Sequence, residues 1–228
     1  MPGKPLDPQN LQRDLRYIVG GTLYHQVWEA ICPPRLGLKV MEAGCGSGKF
    51  GLWYAWRGCG VTLLDIDPGV LAYTRALRDL MEKTLQLDPG IYRLNWIKVV
   101  QGSIFDLPLL YPDAPYDFVF NEGVSHHFPR GDPRRQESLN QMVKVTRPGG
   151  TVAVMVSNMH CPGMMDYAER TSHTYHSMPP KQEPFDWIEL SAALVRAGLD
   201  SKTVNVQPVE EEHVTRARTL VGWGRTYE

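Results

Sequence analysis

The segment between Leu38 and Gly48 constrains the fold of this chain more strongly than any other. It begins with a mainly apolar run and continues with one acidic residue and three glycines spaced two apart: Glu42, Gly44, Gly46 and Gly48. This pattern predicts a buried parallel strand that ends in a tight turn and is followed by a helix from about Lys49. Because such a turn points backbone N–H groups at a ligand, the segment indicates a ligand site at the end of a strand.

The register of the glycines distinguishes between known ligand-binding motifs. A phosphate loop, G-x-x-x-x-G-K-[ST], would require glycine in place of Ala43 and serine or threonine in place of Phe50. The dinucleotide fingerprint G-x-G-x-x-G fits when it is read from Gly46, but this register leaves Gly44 unexplained. The pattern E-x-G-x-G-x-G fits from Glu42 without a gap. A glycine-rich turn without a ligand stays open as a further interpretation.

Read from Glu42, the segment resembles motif I of the class I S-adenosylmethionine (SAM)-dependent methyltransferases. Three further patterns of that family occur in order within residues 36–156. They are an acidic residue after the second predicted strand, a fourth strand of the F-D-x-V type followed by paired histidines, and an R-P-G-G sequence that closes a helix before the fifth strand: Asp65, Tyr116–Phe120 with His126 and His127, and Arg147–Gly150.

The resemblance implies a Rossmann-like class I methyltransferase fold. This is an α/β fold with a seven-stranded, mostly parallel sheet and helices on both faces, in which the last strand runs antiparallel inside the sheet. We predict a helical cap at residues 1–35, with a break at Gly20-Gly21, and a methyltransferase domain at residues 36–228. An insertion at about residues 157–186 follows the fifth strand. Because open α/β sheets bind ligands beyond the carboxyl ends of their strands, we expect it to cover the acceptor site. The last two strands are expected near Lys202–Val206 and Thr219–Gly224.

The resemblance also implies a site for SAM, which methyl transfer converts into S-adenosylhomocysteine. The implied cofactor-binding residues are Glu42, Gly44, Cys45, Gly46, Gly48, Asp65, Ile66, Ser103, Ile104 and Asn121. Asp65 lies about 20 residues after the glycine turn, where an acidic side chain accepts hydrogen bonds from both ribose hydroxyls. Since SAM and NAD both contain a ribose, Asp65 supports ligand binding without distinguishing them. Ser103 stands where the family usually has an acidic residue beside the adenine.

Candidate catalytic and acceptor-binding side chains lie outside the glycine turn. His126 and His127 are candidate general bases because imidazole titrates near neutral pH, and a structural role at a loop–helix junction is the alternative. Four aromatic side chains are predicted to line the acceptor site: Tyr24, Trp28, Tyr167 and Tyr175. Tyr24 and Trp28 are four apart and share a helical face, so packing against the sheet is the competing interpretation for them.

Composition and charge argue against several classes of function. A net charge of −1 over 228 residues lacks the basic footprint of a nucleic-acid-binding protein. The sequence Asn121–Val124 also differs from the N-P-P-[YFW] motif of enzymes that methylate amino groups of nucleic-acid bases. Because no apolar stretch reaches about 20 residues, we expect no membrane span. The four cysteines form no metal-binding spacing, so we expect reduced thiols, a cytoplasmic protein and no metal site.

The sequence therefore predicts an enzyme that transfers a methyl group from SAM to an oxygen or nitrogen atom of a small-molecule acceptor. Two alternatives stay open: an NAD-dependent oxidoreductase with a Rossmann domain, and a non-catalytic SAM-binding module. Neither the identity of the acceptor nor the oligomeric state follows from the sequence.

Overall fold

Strands and helices alternate along most of the chain in a computed structural model, which describes residues 6–85, 96–160, 183–209 and 219–227. The strands are β1 Lys39–Ala43, β2 Gly60–Asp65, β3 Ile97–Gln101, β4 Tyr116–Glu122, β5 Thr146–Ser157, β6 Asn205–Pro208 and β7 Thr219–Arg225. The helices of the described residues are α1 Pro8–Gly20, α2 Leu23–Ile31, α3 Lys49–Trp56, α4 Pro68–Leu85, α5 Leu107–Leu110, α6 Pro133–Lys144 and α7 Trp187–Arg196.

The strands form a seven-stranded sheet in the order β3-β2-β1-β4-β5-β7-β6. Pairing is parallel between β1 and β2, between β2 and β3, and between β4 and β5. Strand β7 is antiparallel to both of its neighbours, β5 and β6. The predicted class I methyltransferase fold is confirmed, including the antiparallel last strand inside the sheet.

The chain divides into two compact units, and the first is Met1–Ile104. Every position of β1 after Lys39 and every interior position of β2 is buried, including the polar residues Glu42 and Thr62, as expected for parallel strands covered by helices. Helix α3 packs on these two strands, and α1 packs on α3 and α4. The Tyr73 hydroxyl of α4 donates a hydrogen bond of 2.8 Å to the Asp14 carboxylate of α1, and both residues are buried. This bond joins the N-terminal helix to α4.

The helix ends of the first unit follow the local signals in the sequence. The predicted break at Gly20-Gly21 is confirmed, because α1 ends at Gly20 and α2 begins after Thr22. Thr22 and His25 form a capping box, in which the Thr22 backbone N–H donates to His25 Nδ1. Asp67 precedes α4, and its carboxylate accepts hydrogen bonds from the N–H groups of Gly69 and Val70. Such side-chain caps satisfy N–H groups that have no partner within the helix.

The second unit is Phe105–Glu228 and contains β4 to β7 with α5, α6 and α7. Phe118 and Phe120 of β4 and most of β5 are fully buried. Helix α7 packs closely on β7 at Gly222, where an added Cβ would come within 2.8 Å of Leu194 and 3.0 Å of Leu190. Glycine in this strand therefore permits a close helix–sheet contact.

Two predicted boundaries are wrong. The R-P-G-G sequence was expected to close a helix before the fifth strand, but α6 ends at Lys144 and Arg147–Gly150 lies within β5. A register shift between β4 and β5 accommodates these residues, as a β-bulge does. The sixth strand was expected at Lys202–Val206 but begins at Asn205. Its first residues instead form a turn on Asp200, which accepts hydrogen bonds from Lys202 and Thr203.

Within the four described ranges, no helix has both the length and the apolar character needed to cross a membrane.

Candidate functional site

The glycine turn between β1 and α3 is held against the end of β2. Gly44, Gly46 and Gly48 all have positive φ, at 80°, 53° and 69°. The N–H groups of Gly44 and Cys45 both donate to the Leu64 carbonyl, at 2.7 and 2.8 Å. Glycine is required here because L side chains disfavour this backbone region. The predicted strand–turn–helix is confirmed, and it lies beside the residue that precedes Asp65.

Asp65 joins the glycine turn to the start of α4. Its Oδ2 accepts a hydrogen bond of 2.9 Å from the Gly46 N–H, and its Oδ1 accepts one of 3.0 Å from the Asp67 N–H. Each carboxylate oxygen has two lone pairs, so both oxygens retain the capacity to accept a bond from a ligand hydroxyl. The structure thus brings together the two sequence features on which the predicted ribose site depends.

Gly46 and Gly48 occupy different environments within the turn. A Cβ built on Gly46 meets no atom within 4 Å. A Cβ built on Gly48 would come within 2.7 Å of Thr74 Cγ2 and 3.2 Å of Leu63 Cδ1. Gly48 therefore permits close packing inside the protein, whereas Gly46 leaves space beside the turn. The Thr74 hydroxyl also donates to the Gly46 carbonyl at 2.8 Å, a contact that sequence reasoning missed.

Glu42 is buried and binds the backbone of α3. Only 2% of its surface is exposed, and its Oε2 accepts a hydrogen bond of 2.9 Å from the Gly51 N–H in the first turn of the helix. A negative charge is favourable at a helix N-terminus. At Gly51, the last glycine of the G-x-G-x-x-G register, an added Cβ would clash with Leu63 and lie 2.8 Å from Glu42 Oε2. The acidic residue of the motif thus fixes the helix that follows the turn.

Ile66 presents an apolar surface next to Asp65. Its side chain is among the exposed large apolar residues, at 60% exposure. The Gly102 N–H donates to the Asp65 carbonyl at 3.0 Å and so holds the end of β3 near the end of β2. Ser103 is half-buried and Ile104 is buried. The surface beside Asp65 therefore offers an apolar contact of the kind that a flat ring requires.

The predicted acceptor-site aromatics of the helical cap lie around Phe50 of α3. The ring centroids of Tyr24 and Trp28 are 6.3 and 6.2 Å from that of Phe50. Trp28 is completely buried, and Tyr24 is half-buried. Between them, His25 is buried against Phe50 and Trp53. Burial, followed by the nearby charge of Lys49, lowers the pKa of His25 to about 4, so this imidazole is neutral at pH 7.

Asn121 ends the buried part of β4 in the second unit. Its side chain is fully buried, and its Nδ2 lies 3.2 Å from Met142 Sδ. Its Oδ1 has no hydrogen-bond partner among the described residues. An unsatisfied amide oxygen in a protein interior costs free energy. A hydrogen bond donated by a ligand is one physical reason for an amide oxygen at this buried position.

His126 and His127 form a 3₁₀ turn with Ser125, and their environments differ. His126 is 7% exposed, and its Nδ1 accepts a hydrogen bond of 3.2 Å from the Ser157 N–H, which assigns the ring proton to Nε2. Burial lowers the pKa of His126 to about 3, and the charges of His127 and Arg135 contribute to the decrease. His127 is half-buried, and burial lowers its pKa. Both histidines are therefore neutral at pH 7, and the Nδ1 of His126 is occupied by a backbone donor.

The remaining predicted site residues, Tyr167 and Tyr175, lie outside the described residues, as does most of the predicted insertion at 157–186. Its two ends are described and lie side by side. The Phe185 N–H donates to the Ser157 carbonyl at 2.9 Å, and the Met159 N–H donates to the Phe185 carbonyl at 3.0 Å. Backbone hydrogen bonds therefore join the two described ends of the predicted insertion.

A family model described as a methyltransferase domain matches residues 41–154. Among curated proteins, the malonyl-[acyl-carrier protein] O-methyltransferase of Pectobacterium atrosepticum is 29% identical over 124 residues, which are 54% of this chain and 40% of that protein. The ubiquinone biosynthesis O-methyltransferase of Xylella fastidiosa strain 9a5c is 27% identical over 176 residues, which are 75% of this chain and 65% of that protein. The chain thus spans less than two thirds of the length of either relative.

Solved structures share the fold. The magnesium protoporphyrin IX methyltransferase of Synechocystis PCC 6803, solved with bound S-adenosylhomocysteine, aligns with a TM-score of 0.63 and 13% sequence identity. The alignment covers 95% of this chain and 87% of that one.

Proposed function

We propose that this chain, which belongs to the class I SAM-dependent methyltransferases, transfers a methyl group from SAM to an oxygen or nitrogen atom of a small-molecule acceptor. The observation that carries the proposal is the contact between Asp65 and the N–H of Gly46, beside the open space at that glycine. It joins the ribose-binding carboxylate to a turn whose backbone a ligand is able to approach.

The residues of the first unit suit SAM in size and chemistry. The open side of Gly46 leaves room for the amino-acid end of the ligand, since no atom lies within 4 Å of a Cβ built there. Asp65 would accept hydrogen bonds from the ribose hydroxyls, and exposed Ile66 would cover one face of the adenine. When bound, SAM supplies an electrophilic methyl group on a sulfonium sulfur.

The two histidines would have different roles in methyl transfer. His126 holds its Nδ1 against the Ser157 N–H, so its Nε2–H is available only as a hydrogen-bond donor. We assign to it the binding and orientation of the acceptor. His127 would accept the acceptor proton as general base, which a neutral imidazole is able to do. Fixed orientation of acceptor and base would lower the barrier further, by up to about 7–11 kcal/mol in favourable cases.

An acceptor with an ionisable O–H or N–H group suits a neutral histidine pair better than an acceptor without a proton to remove. The relatives are described as O-methyltransferases that act on malonyl-[acyl-carrier protein] and in ubiquinone biosynthesis. These descriptions support carboxylic acids and phenols as the first acceptors to test, with primary amines next. The helical cap at residues 1–35 and the insertion at about residues 157–186 remain our proposal for the acceptor side of the site.

Calorimetric titration with SAM, S-adenosylhomocysteine and NAD is the first test, on the wild type and on Asp65→Ala. The matched control is Asp67→Ala, which removes a carboxylate two residues away that caps α4. We expect both adenosyl ligands to bind the wild type and the control. Neither should bind Asp65→Ala.

A radiolabelled methyl-transfer assay with the three acceptor classes completes the test. Transfer to an acid, phenol or amine supports the proposal. Binding of NAD alone would indicate an oxidoreductase. Binding of S-adenosylhomocysteine without transfer to any acceptor would indicate a non-catalytic module.

A further inference from the structure

The buried guanidinium of Arg135 in α6 connects two separate segments of the second unit. It is 5% exposed. Its Nη1 donates to the Phe128 carbonyl at 3.1 Å and to the Glu183 carbonyl at 2.8 Å, and its Nη2 donates to the Pro184 carbonyl at 3.2 Å. The guanidinium also lies 3.4 Å from the centroid of the Phe185 ring. One side chain thus binds both the segment after the histidines and the segment at 183–185.

Glu183 also binds the segment that contains the two histidines. Its backbone N–H donates to the His126 carbonyl at 2.8 Å, and its Oε2 accepts a hydrogen bond of 2.5 Å from the Arg130 N–H. We call residues 126–130 the histidine loop. Its carbonyl at 126, its carbonyl at 128 and its N–H at 130 are all bound by Glu183 or Arg135. His127 therefore lies between two fixed backbone positions.

The chemistry of the contact requires arginine. Three carbonyl acceptors and an aromatic face are engaged by one planar group with five N–H donors, an arrangement that a lysine ammonium does not reproduce. Burying a cation is unfavourable unless it is well paired. Here the Glu189 carboxylate lies 3.1 Å from the Arg135 Nε and supplies the opposite charge. By contrast, the neighbouring Arg134 is largely exposed, pairs with Asp132 within its own helix cap and meets the histidine loop at the Phe128 ring, 5.6 Å from the ring centroid.

We propose that Arg135 is a positioning residue for methyl transfer, which fixes His127 by binding the Phe128 carbonyl directly and the His126 carbonyl through Glu183. This inference rests on the proposed function, in which His127 is the general base. Arg135 itself touches neither substrate nor cofactor in this scheme. It acts through the backbone of the loop and through Glu183.

The test compares Arg135→Lys with the matched control Arg134→Lys in the full-length protein. We expect Arg135→Lys to lower kcat for methyl transfer by about 100-fold, the size associated with a displacement near 1 Å. The dissociation constant for S-adenosylhomocysteine should stay within about twofold of wild type, because the cofactor residues are unchanged. Arg134→Lys should alter neither quantity. A wild-type kcat in Arg135→Lys would overturn the inference.

Histidine ring signals provide a second readout that does not depend on turnover. Long-range ¹H–¹⁵N spectra of the complex with S-adenosylhomocysteine report the tautomer and environment of His126 and His127. We expect the His127 signal to move in Arg135→Lys and to be unchanged in Arg134→Lys. If Arg135→Lys does not fold, Arg135→Gln removes the guanidinium and its contacts to the Phe128, Glu183 and Pro184 carbonyls without burying an ammonium group.

A displaced His127 signal is likewise expected in Arg135→Gln, and an unchanged signal would overturn the inference. If the wild type transfers no methyl group to any acceptor, the proposed function fails. The spectra then still decide whether Arg135 positions His127.

Discussion

The Asp65 carboxylate accepts a hydrogen bond of 2.9 Å from the backbone N–H of Gly46, 19 residues earlier in the chain. The end of β2 and the glycine turn are therefore bound to each other by the protein's own groups. Because the second oxygen of Asp65 accepts from the Asp67 N–H, the carboxylate is oriented from both sides. A side chain held in this way loses little rotamer entropy on binding a ligand.

Alanine substitutions at Gly46 and Gly48 should separate ligand binding from stability. Both positions have positive φ, so each variant should lose about 1–2 kcal/mol from backbone strain. Only Gly48→Ala adds a steric clash, with Thr74, and it should be the less stable variant. Gly46→Ala should instead lose affinity for S-adenosylhomocysteine, because its methyl group fills the open space beside the turn. Thermal unfolding and calorimetry measure the two effects, and equal stability of the two variants would contradict this assignment.

Tyr73→Phe should destabilise the first unit without affecting the cofactor residues. It removes the 2.8 Å hydrogen bond to the buried Asp14 carboxylate. Loss of a hydrogen bond to a buried charged group costs about 1.5–3 kcal/mol. We expect a decrease of that order in the free energy of unfolding, measured by urea denaturation. Tyr111→Phe in the second unit serves as a matched control, and a Tyr73→Phe protein as stable as the wild type would show that Asp14 finds another donor.

Stability should fall as the pH decreases from about 6.5 to about 4. The pKa of His25 is lowered to about 4 in the folded protein, and that of His126 to about 3. In this range the unfolded chain binds protons that the folded chain does not, so protonation favours unfolding, and the stabilisation is complete only above about pH 6.5. Each histidine should contribute a slope of up to about 1.4 kcal/mol per pH unit.

His25→Gln tests this pH dependence directly. Glutamine at the third helical position preserves the capping box but has no proton to gain. Chemical denaturation at several pH values between 7 and 4.5 should show a smaller slope for this variant than for the wild type. Parallel curves for the two proteins would mean that His25 is not buried as a neutral group.

His126 and His127 should respond differently to substitution. His127→Asn should lower kcat by about 10²–10⁴-fold, the usual contribution of a general base, and leave stability nearly unchanged. His126→Asn should lower stability as well, because the smaller side chain leaves a cavity at a buried position, while its Oδ1 takes over the role of acceptor for the Ser157 N–H. Methyl-transfer kinetics and thermal unfolding distinguish these outcomes. A larger loss of kcat in His126→Asn than in His127→Asn would reverse the roles proposed for them.

The parts of the fold that depend on local sequence were predictable. The glycine turn, the caps at Thr22 and Asp67, and the position of Asp65 all follow from residue types within a few positions of one another. The extent of β5 was not predictable in this way. Proline and glycine usually end elements, but here a register shift against β4 allows Arg147–Gly150 to remain within the strand.

Contacts between distant segments account for the missed residues. Thr74 lies 28 residues from Gly46, and Arg135 lies 48 residues from Glu183, so no periodicity or motif links them. The two histidines are neighbours of the same residue type, so the sequence does not distinguish their roles. Their environments differ because the Ser157 N–H donates to the His126 ring and His126 is the more deeply buried of the two.

The hydrogen bond that the Gly51 N–H donates to Glu42 affects how the E-x-G-x-G-x-G pattern should be interpreted in other chains. The acidic residue secures the fold of the turn, so selection for a folded protein is enough to preserve it. A descendant that had lost its enzymatic role would still carry the full E-x-G-x-G-x-G pattern. Evolutionary loss of activity should therefore be sought at Asp65 and at the open face of Gly46, where folding alone imposes a weaker constraint.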